Sequence, residues 1–595
     1  MPRLASFLLA LVAVPALAAQ PEKPRLVVLV VFDQMRGDYL EKWKPLFGTD
    51  GFVRLQTEGA WFTNCHYPYA ATQTGPGHTS MLTGCGPDVH GIIGNTWYDR
   101  RSGAVVNCSE SDRYDRVPPL PKELPKDDVK DEVKEREAKE KKAAEKEKPA
   151  AESEEKKEET SGKKKPYGTP ERVLAPTVAD ALKAATGGKG RAFGLSFKDR
   201  SAVLPVGPKA DGAYWLDNAD GMIVTSTYFR DGVHPWISEL NKRRVADGWF
   251  EKSWDHLRGD LDYVKHSGPD QVAGEGKGSR QGVTFPHPID GGLKRPGKAY
   301  YEALYNSPYG NEFLLDLVRA AVVAEKLGQR DAPDLLAVSF SSNDAVGHCW
   351  GPDSQEVLDT TLRSDRIMAE LLKFLDEHVG KGKYLICLTA DHGICPLPEA
   401  SAARGLDARR LSVKKVLAAA EEHLRAVYSD EFQVIAKTRW IENYTGVWGY
   451  LNYKLIESRG LKAAEVAKTL AEFLAKQDGF LRTFTRADLE REMDPYDAIG
   501  QRMKKTYFPD RCGDVGIVLK PYWLDPDGKT TGTVHGSPHP YDTHVPLLVF
   551  GPGVKPGVHG EEVPPAVIAA IFAKALGIAP PGKAAYGVPE RLFAE

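Results

Sequence analysis

Apolar residues fall along this chain in short, dense runs that stop at a charged or polar residue. Residues 25–33, RLVVLVVFD, are rich in Val and apolar at nearly every position. That predicts a strand buried on both faces, as in a parallel sheet flanked by helices. The pattern recurs at residues 191–197 (RAFGLSF), 334–340 (DLLAVSF) and 384–390 (YLICLTA), and the chain returns to it at 514–519 and 546–551. Segments with helical spacing lie between, at 78–82, 177–185, 300–327, 354–378 and 564–576. Strands that alternate with helices make the fold α/β, with a mostly parallel sheet and helices on both faces. No period of 20–50 residues repeats, which excludes solenoids and propellers.

Three stretches break the pattern. Residues 120–165 are a Lys/Glu-rich low-complexity insertion that cannot bury enough apolar surface to join a core. It reads as a solvated spacer, with charges spaced for a lone helix before Pro149. Residues 213–290, rich in Trp, Tyr, Gly and Asp, read as a cap region of loops and small elements rather than sheet core. Residues 400–510 read as an inserted small α+β subdomain, with helices at 411–424 and 463–477 and strand-like segments at 432–441 and 446–452.

The opening MPRLASFLLALVAVPALAAQ has an early Arg, a short apolar run and small residues at the end. Ala16-Leu17-Ala18 fits a cleavage signal, so residues 1–18 are expected to be a signal peptide and 19–595 the mature chain. The run is short for a spanning helix, and no later stretch is apolar enough to span. The expected location is the periplasm or the exterior, with no membrane span once the signal is removed. A formal net charge of −3 over 595 residues supplies no basic field, so no nucleic-acid partner is expected. Seven cysteines are spread thinly, which leaves at least one unpaired within the chain, and none has the CxxC spacing of a zinc site.

Four Asp/His features stand just after predicted strands or in Gly-rich loops: Asp33, Asp344 with His348, the adjacent Asp391 and His392, and His535. Three carboxylates and three imidazoles suffice for two sites of nitrogen and oxygen ligands, a mix that suits zinc. Asp344 and His348, four residues apart, share one face of a helical turn. Asp391 and His392, being adjacent, are expected to point apart. His539 and His544 lie near His535, and spacing alone does not choose among the three.

A hydroxyl, Thr74, precedes a Gly/Pro turn and a helical run in the stretch ATQTGPGHTSMLTGCGPDVHGIIGN, which ends at Asn95. A helix start gathers unpaired N–H groups and suits an anion. The plainer role for Thr74 is an N-cap, with Pro76 in the first turn. Lys198 and Arg200 alternate in SFKDR, and on an extended segment both would face one side. The plainer alternative is an ordinary surface turn.

The pieces VFDQMRGDYL, TQTGPGH, HGIIGN, SFKDR, GAYW, NDAVGH, TADHG and HGSPHPYDTHVPL run in this order across nearly the whole mature chain. They resemble the alkaline phosphatase superfamily, and in particular the PafA-type periplasmic alkaline phosphatases, relatives of the nucleotide pyrophosphatase/phosphodiesterases. The resemblance implies an alkaline-phosphatase-like sheet with cap insertions and a site for two Zn²⁺ per chain. It implies Asp344, His348 and His535 as ligands of one ion, which selects His535 over its neighbours. It implies Asp33, Asp391 and His392 as ligands of the other, with Thr74 beside it as nucleophile and further ligand. Asn95 matches a residue that contacts a phosphoryl oxygen. Lys198 and Arg200 match the pair that separates the monoesterases from the diesterases. The implied activity is hydrolysis of small-molecule phosphate monoesters through a phosphothreonine intermediate, by a monomer.

Three alternatives share parts of this pattern. A phosphodiesterase or nucleotide pyrophosphatase would share Thr74, Asn95 and all six ligands. A non-catalytic zinc-binding export protein would have no use for Thr74. A sulfatase needs a C/S-x-P-x-R pattern, and Cys85-Gly86-Pro87-Asp88-Val89 fails it at Val89.

Overall fold

β1 (Leu26–Phe32) runs through the centre of the molecule with all seven residues buried, as its unbroken apolar pattern requires. The computed structural model describes residues 22–124, 126–147, 167–428, 439–525 and 530–594, so the expected signal peptide lies outside the described residues. The chain continues the main sheet with β2 (Ala60–Phe62), β3 (Arg116–Val117), β4 (Ala192–Ser196), β5 (Gly212–Asp217), β6 (Met222–Ser226), β7 (Asp334–Phe340) and β8 (Tyr384–Thr389). It then leaves for a separate four-stranded sheet made of β9 (Ile441–Thr445), β10 (Trp448–Leu451), β11 (Phe480–Thr485) and β12 (Val515–Leu519). It returns with β13 (Leu547–Phe550) and β14 (Gly557–His559).

The main sheet has ten strands in the order β14-β2-β13-β8-β1-β7-β4-β5-β6-β3. The five strands from β8 to β5 are parallel neighbours, while β13 pairs antiparallel to β8, and β6 antiparallel to β5. Register is tight at the centre, where Leu26 faces Asp334 and Phe32 faces Phe340, the two Phe rings stacked at 5.0 Å. The sheet is therefore mixed α/β and mostly parallel, with helices such as Pro308–Glu325, Gln355–Leu375 and Val567–Leu576 packed on it. Among the described residues no helix is long and apolar enough to cross a membrane.

Three expectations change. Residues 213–226, read as cap, include β5 and β6, two strands of the main sheet. In β5 the side chains of Tyr214 and Trp215 mask the alternation, yet GAYWLD is buried at every position but the last. Residues 514–519, read as the return to the main sheet, form β12 of the small sheet instead. That sheet and the helices Val413–Tyr428 and Ala463–Leu474 enclose a second apolar core with Leu417, Leu424, Leu470 and Ile517. In the Lys/Glu-rich segment, of which residues 125 and 148–165 lie outside the described residues, the helix Asp131–Glu147 forms, and its first part is docked rather than free. Val133 is buried against Gly292, and Lys130–Asp290 (2.8 Å), Lys294–Asp131 (3.0 Å) and Arg280–Glu137 (2.7 Å) ring the contact.

Candidate metal centre

Four adjacent parallel strands deliver polar residues at their carboxyl ends, where open α/β sheets hold their ligands. Asp33 follows β1, Lys198 follows β4, Asp344 lies in the helix Ser342–Trp350 after β7, and Asp391 and His392 follow β8. His535 comes in on the loop ahead of the helix Pro540–Thr543 and β13. Asp33, Asp391 and His392 are fully buried.

Ligand atoms of Asp344, His348 and His535 lie within 4.8 Å of one another, and so do those of Asp33, Asp344 and His392. The first trio is the one expected for one ion. In the second, Asp344 stands where Asp391 was expected, so Asp344 faces both groups. Asp391 stays beside them, its Oδ2 3.4 Å from His392 Nε2; the two adjacent side chains converge instead of pointing apart. Asp344 and His348 do share a helix face, with His348 Nε2 3.2 Å from Asp344 Oδ1.

Each histidine is oriented by a backbone carbonyl. Nδ1 lies 2.7 Å from Thr533 O in His348, 2.7 Å from Thr72 O in His535 and 2.9 Å from Gly393 O in His392. A carbonyl only accepts, so in each ring Nδ1 carries a proton and Nε2 is the atom turned toward the carboxylates. Burial first, and then the neighbouring His392 and His348, push His535 well below the ordinary imidazole range and keep it neutral. The rivals are engaged elsewhere, with His539 Nε2 2.9 Å from Leu519 O and His544 Nε2 3.0 Å from Thr63 O.

The donor set fits a divalent cation. Asp33 Oδ1, Asp391 Oδ2 and His392 Nε2 are buried with no hydrogen-bond partner among the described residues, an arrangement that is costly for groups left to themselves. Carboxylate oxygens and imidazole nitrogens are the ligands zinc takes.

Lys198 Nζ lies 2.7 Å from Asp33 Oδ2 and 2.6 Å from Asp344 Oδ2. Burial works against its charge, yet these carboxylates raise its pKa above the ordinary lysine value. Asp33 is raised well above the carboxylate range by burial and then by the charge of Asp391, with Lys198 pulling the other way. Asp344 goes well below it, because His348 and Lys198 outweigh burial. Lys198 and Arg200 are not on an extended segment: Lys198 is the N-cap of the helix Asp199–Val203, and Arg200 lies inside it. Arg200 Nε is buried without a hydrogen-bond partner.

Thr74 is the first residue of the helix Thr74–Thr83, and Gln73, not Thr74, is its N-cap. Asn95 Oδ1 accepts from Gly75 N at 2.8 Å, while Asn95 N donates to Gln73 Oε1 at 2.8 Å, so Asn95 is locked to the helix start. Gly77 lets this helix press on the Asp391 loop, since a Cβ there would sit 2.3 Å from Asp391 O. The hydroxyls of Thr72 and Thr79 are committed to Ser537 O and Gly75 O, at 2.9 and 2.8 Å.

Two residues join the site that sequence reasoning missed. Gln34 donates from its backbone N to Asp391 Oδ1 at 3.1 Å and from Nε2 to Asp344 Oδ1 at 2.7 Å, and its φ is +70°. His78 sits with Nδ1 3.0 Å from Thr74 O and 3.3 Å from Asp391 Oδ2, and with Nε2 2.9 Å from Ser339 Oγ. Their only sequence signal was position, next to Asp33 and inside TGPGH.

The family model for type I phosphodiesterase / nucleotide pyrophosphatase matches residues 27–542. The chain is 32% identical to alkaline phosphatase PhoV of Synechococcus elongatus, over 91% of this chain and 88% of PhoV. It is 30% identical to alkaline phosphatase PafA of Elizabethkingia meningoseptica, over 90% of this chain and 88% of PafA. The crystal structure of wild-type PafA superposes with a TM-score of 0.83 at 28% identity, covering 96% of this chain and 99% of that one. The chain thus belongs to the type I phosphodiesterase / nucleotide pyrophosphatase family, as a PafA-type member of the alkaline phosphatase superfamily and a hydrolase.

Proposed function

We propose that the protein is an exported, zinc-dependent alkaline phosphatase that hydrolyses small phosphate monoesters through a phosphothreonine intermediate. Asp344, His348 and His535 would hold one Zn²⁺ and Asp33, Asp391 and His392 the other, with Thr74 beside the second. When bound, the two ions supply the positive charge that lowers the pKa of the Thr74 hydroxyl and of water, and that offsets charge on the leaving oxygen. Thr74 Oγ attacks phosphorus, the leaving-group oxygen departs on the opposite side, and the resulting phosphothreonine is hydrolysed by water. Asn95, fixed at the helix start by its bonds to Gly75 and Gln73, offers its side-chain amide to a phosphoryl oxygen. Arg200 brings a buried guanidinium whose Nε has no hydrogen-bond partner among the described residues.

One observation carries the monoester reading: the Lys198 ammonium, within 2.7 Å of both Asp33 and Asp344. A fixed cation between the two ligand groups favours a substrate with about two negative charges over a diester with one. The family description names phosphodiesterases, and that is the second reading. The test is kcat/KM of the zinc-loaded protein for a phosphate monoester and a matched diester. Preference for the monoester supports the proposal, and a clear preference for the diester overturns it. Thr74→Ala is expected to abolish turnover with zinc content unchanged. The export part of the proposal rests on residues 1–18 as a cleaved signal, which N-terminal sequencing of the secreted chain tests.

A further inference from the structure

His78 is fully buried, and its ring touches three separate elements of the site. It lies four residues after Thr74 in the helix Thr74–Thr83, so the two share one face. Nδ1 stands 3.0 Å from Thr74 O and 3.3 Å from Asp391 Oδ2, and Nε2 stands 2.9 Å from Ser339 Oγ. Ser339 is in β7, the strand that leads to Asp344, while Asp391 follows β8. β1 runs between these two strands, with Val31 paired to both Ser339 and Thr389. Neighbouring strands are about 4.8 Å apart, so β7 and β8 stand about 10 Å apart here. The imidazole, polar at two edges, reaches across the end of β1 from one to the other.

We infer that His78 is a positioning residue, whose Nδ1–H holds the Thr74 peptide and the Asp391 carboxylate at a fixed separation. The inference rests on the reading of Thr74 as nucleophile and Asp391 as ligand. A carbonyl only accepts, so Nδ1 carries a proton, and that edge of the ring faces Thr74 O and Asp391 Oδ2 together. Pinning the carbonyl of residue 74 fixes the peptide that carries its hydroxyl side chain. Asp391 is held on its other oxygen by Gln34 N, 3.1 Å from Oδ1. Gly77 makes the approach possible, since a Cβ there would meet Asp391 O at 2.3 Å and push the helix off the loop. Ser339 Oγ anchors the far edge of the ring and keeps Nδ1 turned toward its two oxygens.

A buried histidine that only tied the helix to β7 would act through Ser339. The two roles sit on different ring nitrogens, and amide side chains separate them. Asn places its amide where Nδ1 lies, so it keeps a donor for Thr74 O and Asp391 Oδ2 and gives up Ser339. Gln is long enough to place its amide where Nε2 lies, so it keeps Ser339 and gives up the other two.

The experiment compares the full chain as wild type, His78→Asn, His78→Gln and Ser339→Ala. Competition with a chromophoric chelator reads zinc affinity, and kcat and KM are measured on a phosphate monoester with zinc saturating. His78→Gln is expected to lower kcat about 100-fold and to change KM less than about threefold, since a reacting group misplaced by about 1 Å costs that much. Its zinc affinity should fall about tenfold, as on loss of a group that orients a ligand. His78→Asn and Ser339→Ala, which keep the donor at Nδ1, should each stay within about fivefold of wild type on both readouts. Equal losses in the Asn and Gln variants, a larger loss in Asn, or wild-type behaviour of Gln would each overturn the inference. A wild-type protein that preferred a diester would overturn the monoester reading alone, and the same contrast on the diester would then decide His78. If it turned over neither ester, the phosphatase reading would fail by itself, and the zinc-affinity contrast would decide whether His78 positions Asp391.

Discussion

Lys198 donates to Asp344 at 2.6 Å, and the same ammonium reaches Asp33 at 2.7 Å, so one cation is shared by residues on the strands either side of the sheet's centre. The contact exists because β4, β7 and β1 are parallel neighbours that end on one side. Asp344 in turn takes His348, Gln34 and Lys198 on its two oxygens. It is the residue on which both ligand groups depend.

Lys198→Ala is therefore expected to reduce kcat/KM for a monoester about 100-fold or more, and for a diester far less. The monoester-to-diester ratio of kcat/KM in the variant against wild type checks this; equal losses on the two substrates would contradict it.

Removing metal with a chelator should abolish turnover and lower the melting temperature, and Zn²⁺ should restore both. The cause is the buried set Asp33 Oδ1, Asp391 Oδ2 and His392 Nε2, whose atoms crowd one another with no hydrogen-bond partner among the described residues. Differential scanning calorimetry with and without chelator measures the shift. No change in melting temperature would contradict a structural contribution from bound metal.

Gln34→Ala should cost about 10–100-fold in zinc affinity, because it removes the amide that orients Asp344. The backbone bond from residue 34 to Asp391 survives in that variant. Gln34→Asn, too short to reach, should resemble Ala, which separates orientation from mere polarity. Competition with a chromophoric chelator gives the affinities. Wild-type affinity in both variants would remove Gln34 from the site.

The candidate ligands were legible because each closes an apolar run: FD at Asp33, TADH at Asp391 and His392, and the helix with Asp344 and His348 after DLLAVSF. A strand that is buried on both faces announces its end by its first charge. The choice of His535 came from resemblance, since what excludes His539 and His544 is their bonding to Leu519 and Thr63, which spacing does not encode. Gln34 was not legible because a left-handed φ is unusual for Gln, and its role depends on a residue 310 positions away. SFKDR was misread as extended because the helix it opens is only five residues long, too short for a periodic signal. Strand β5 was hidden by the aromatic residues that make it a good sheet former, and β6, MIVTS, by being only five residues long in the same stretch.

A final prediction concerns stability away from the metal centre. Glu275 is buried; Val272 N donates to its Oε2 at 2.9 Å, and its Oε1 has no partner. Burial first, then the charges of Glu356 and Asp270, push its pKa from the ordinary 4.5 up to about 8. The folded state therefore holds a proton that the unfolded chain releases at lower pH. The stabilising contribution of that proton is complete below the unfolded value of 4.5 and is lost as pH rises through about 8. Glu275→Gln replaces the acid with a permanently neutral amide of the same shape. Relative to wild type, its melting temperature should be nearly equal at pH 5 and higher by a margin that grows toward pH 9. Thermal unfolding at pH 5, 7 and 9 measures the margin. A constant difference across the range would show that Glu275 keeps the same protonation state throughout, and would contradict the prediction.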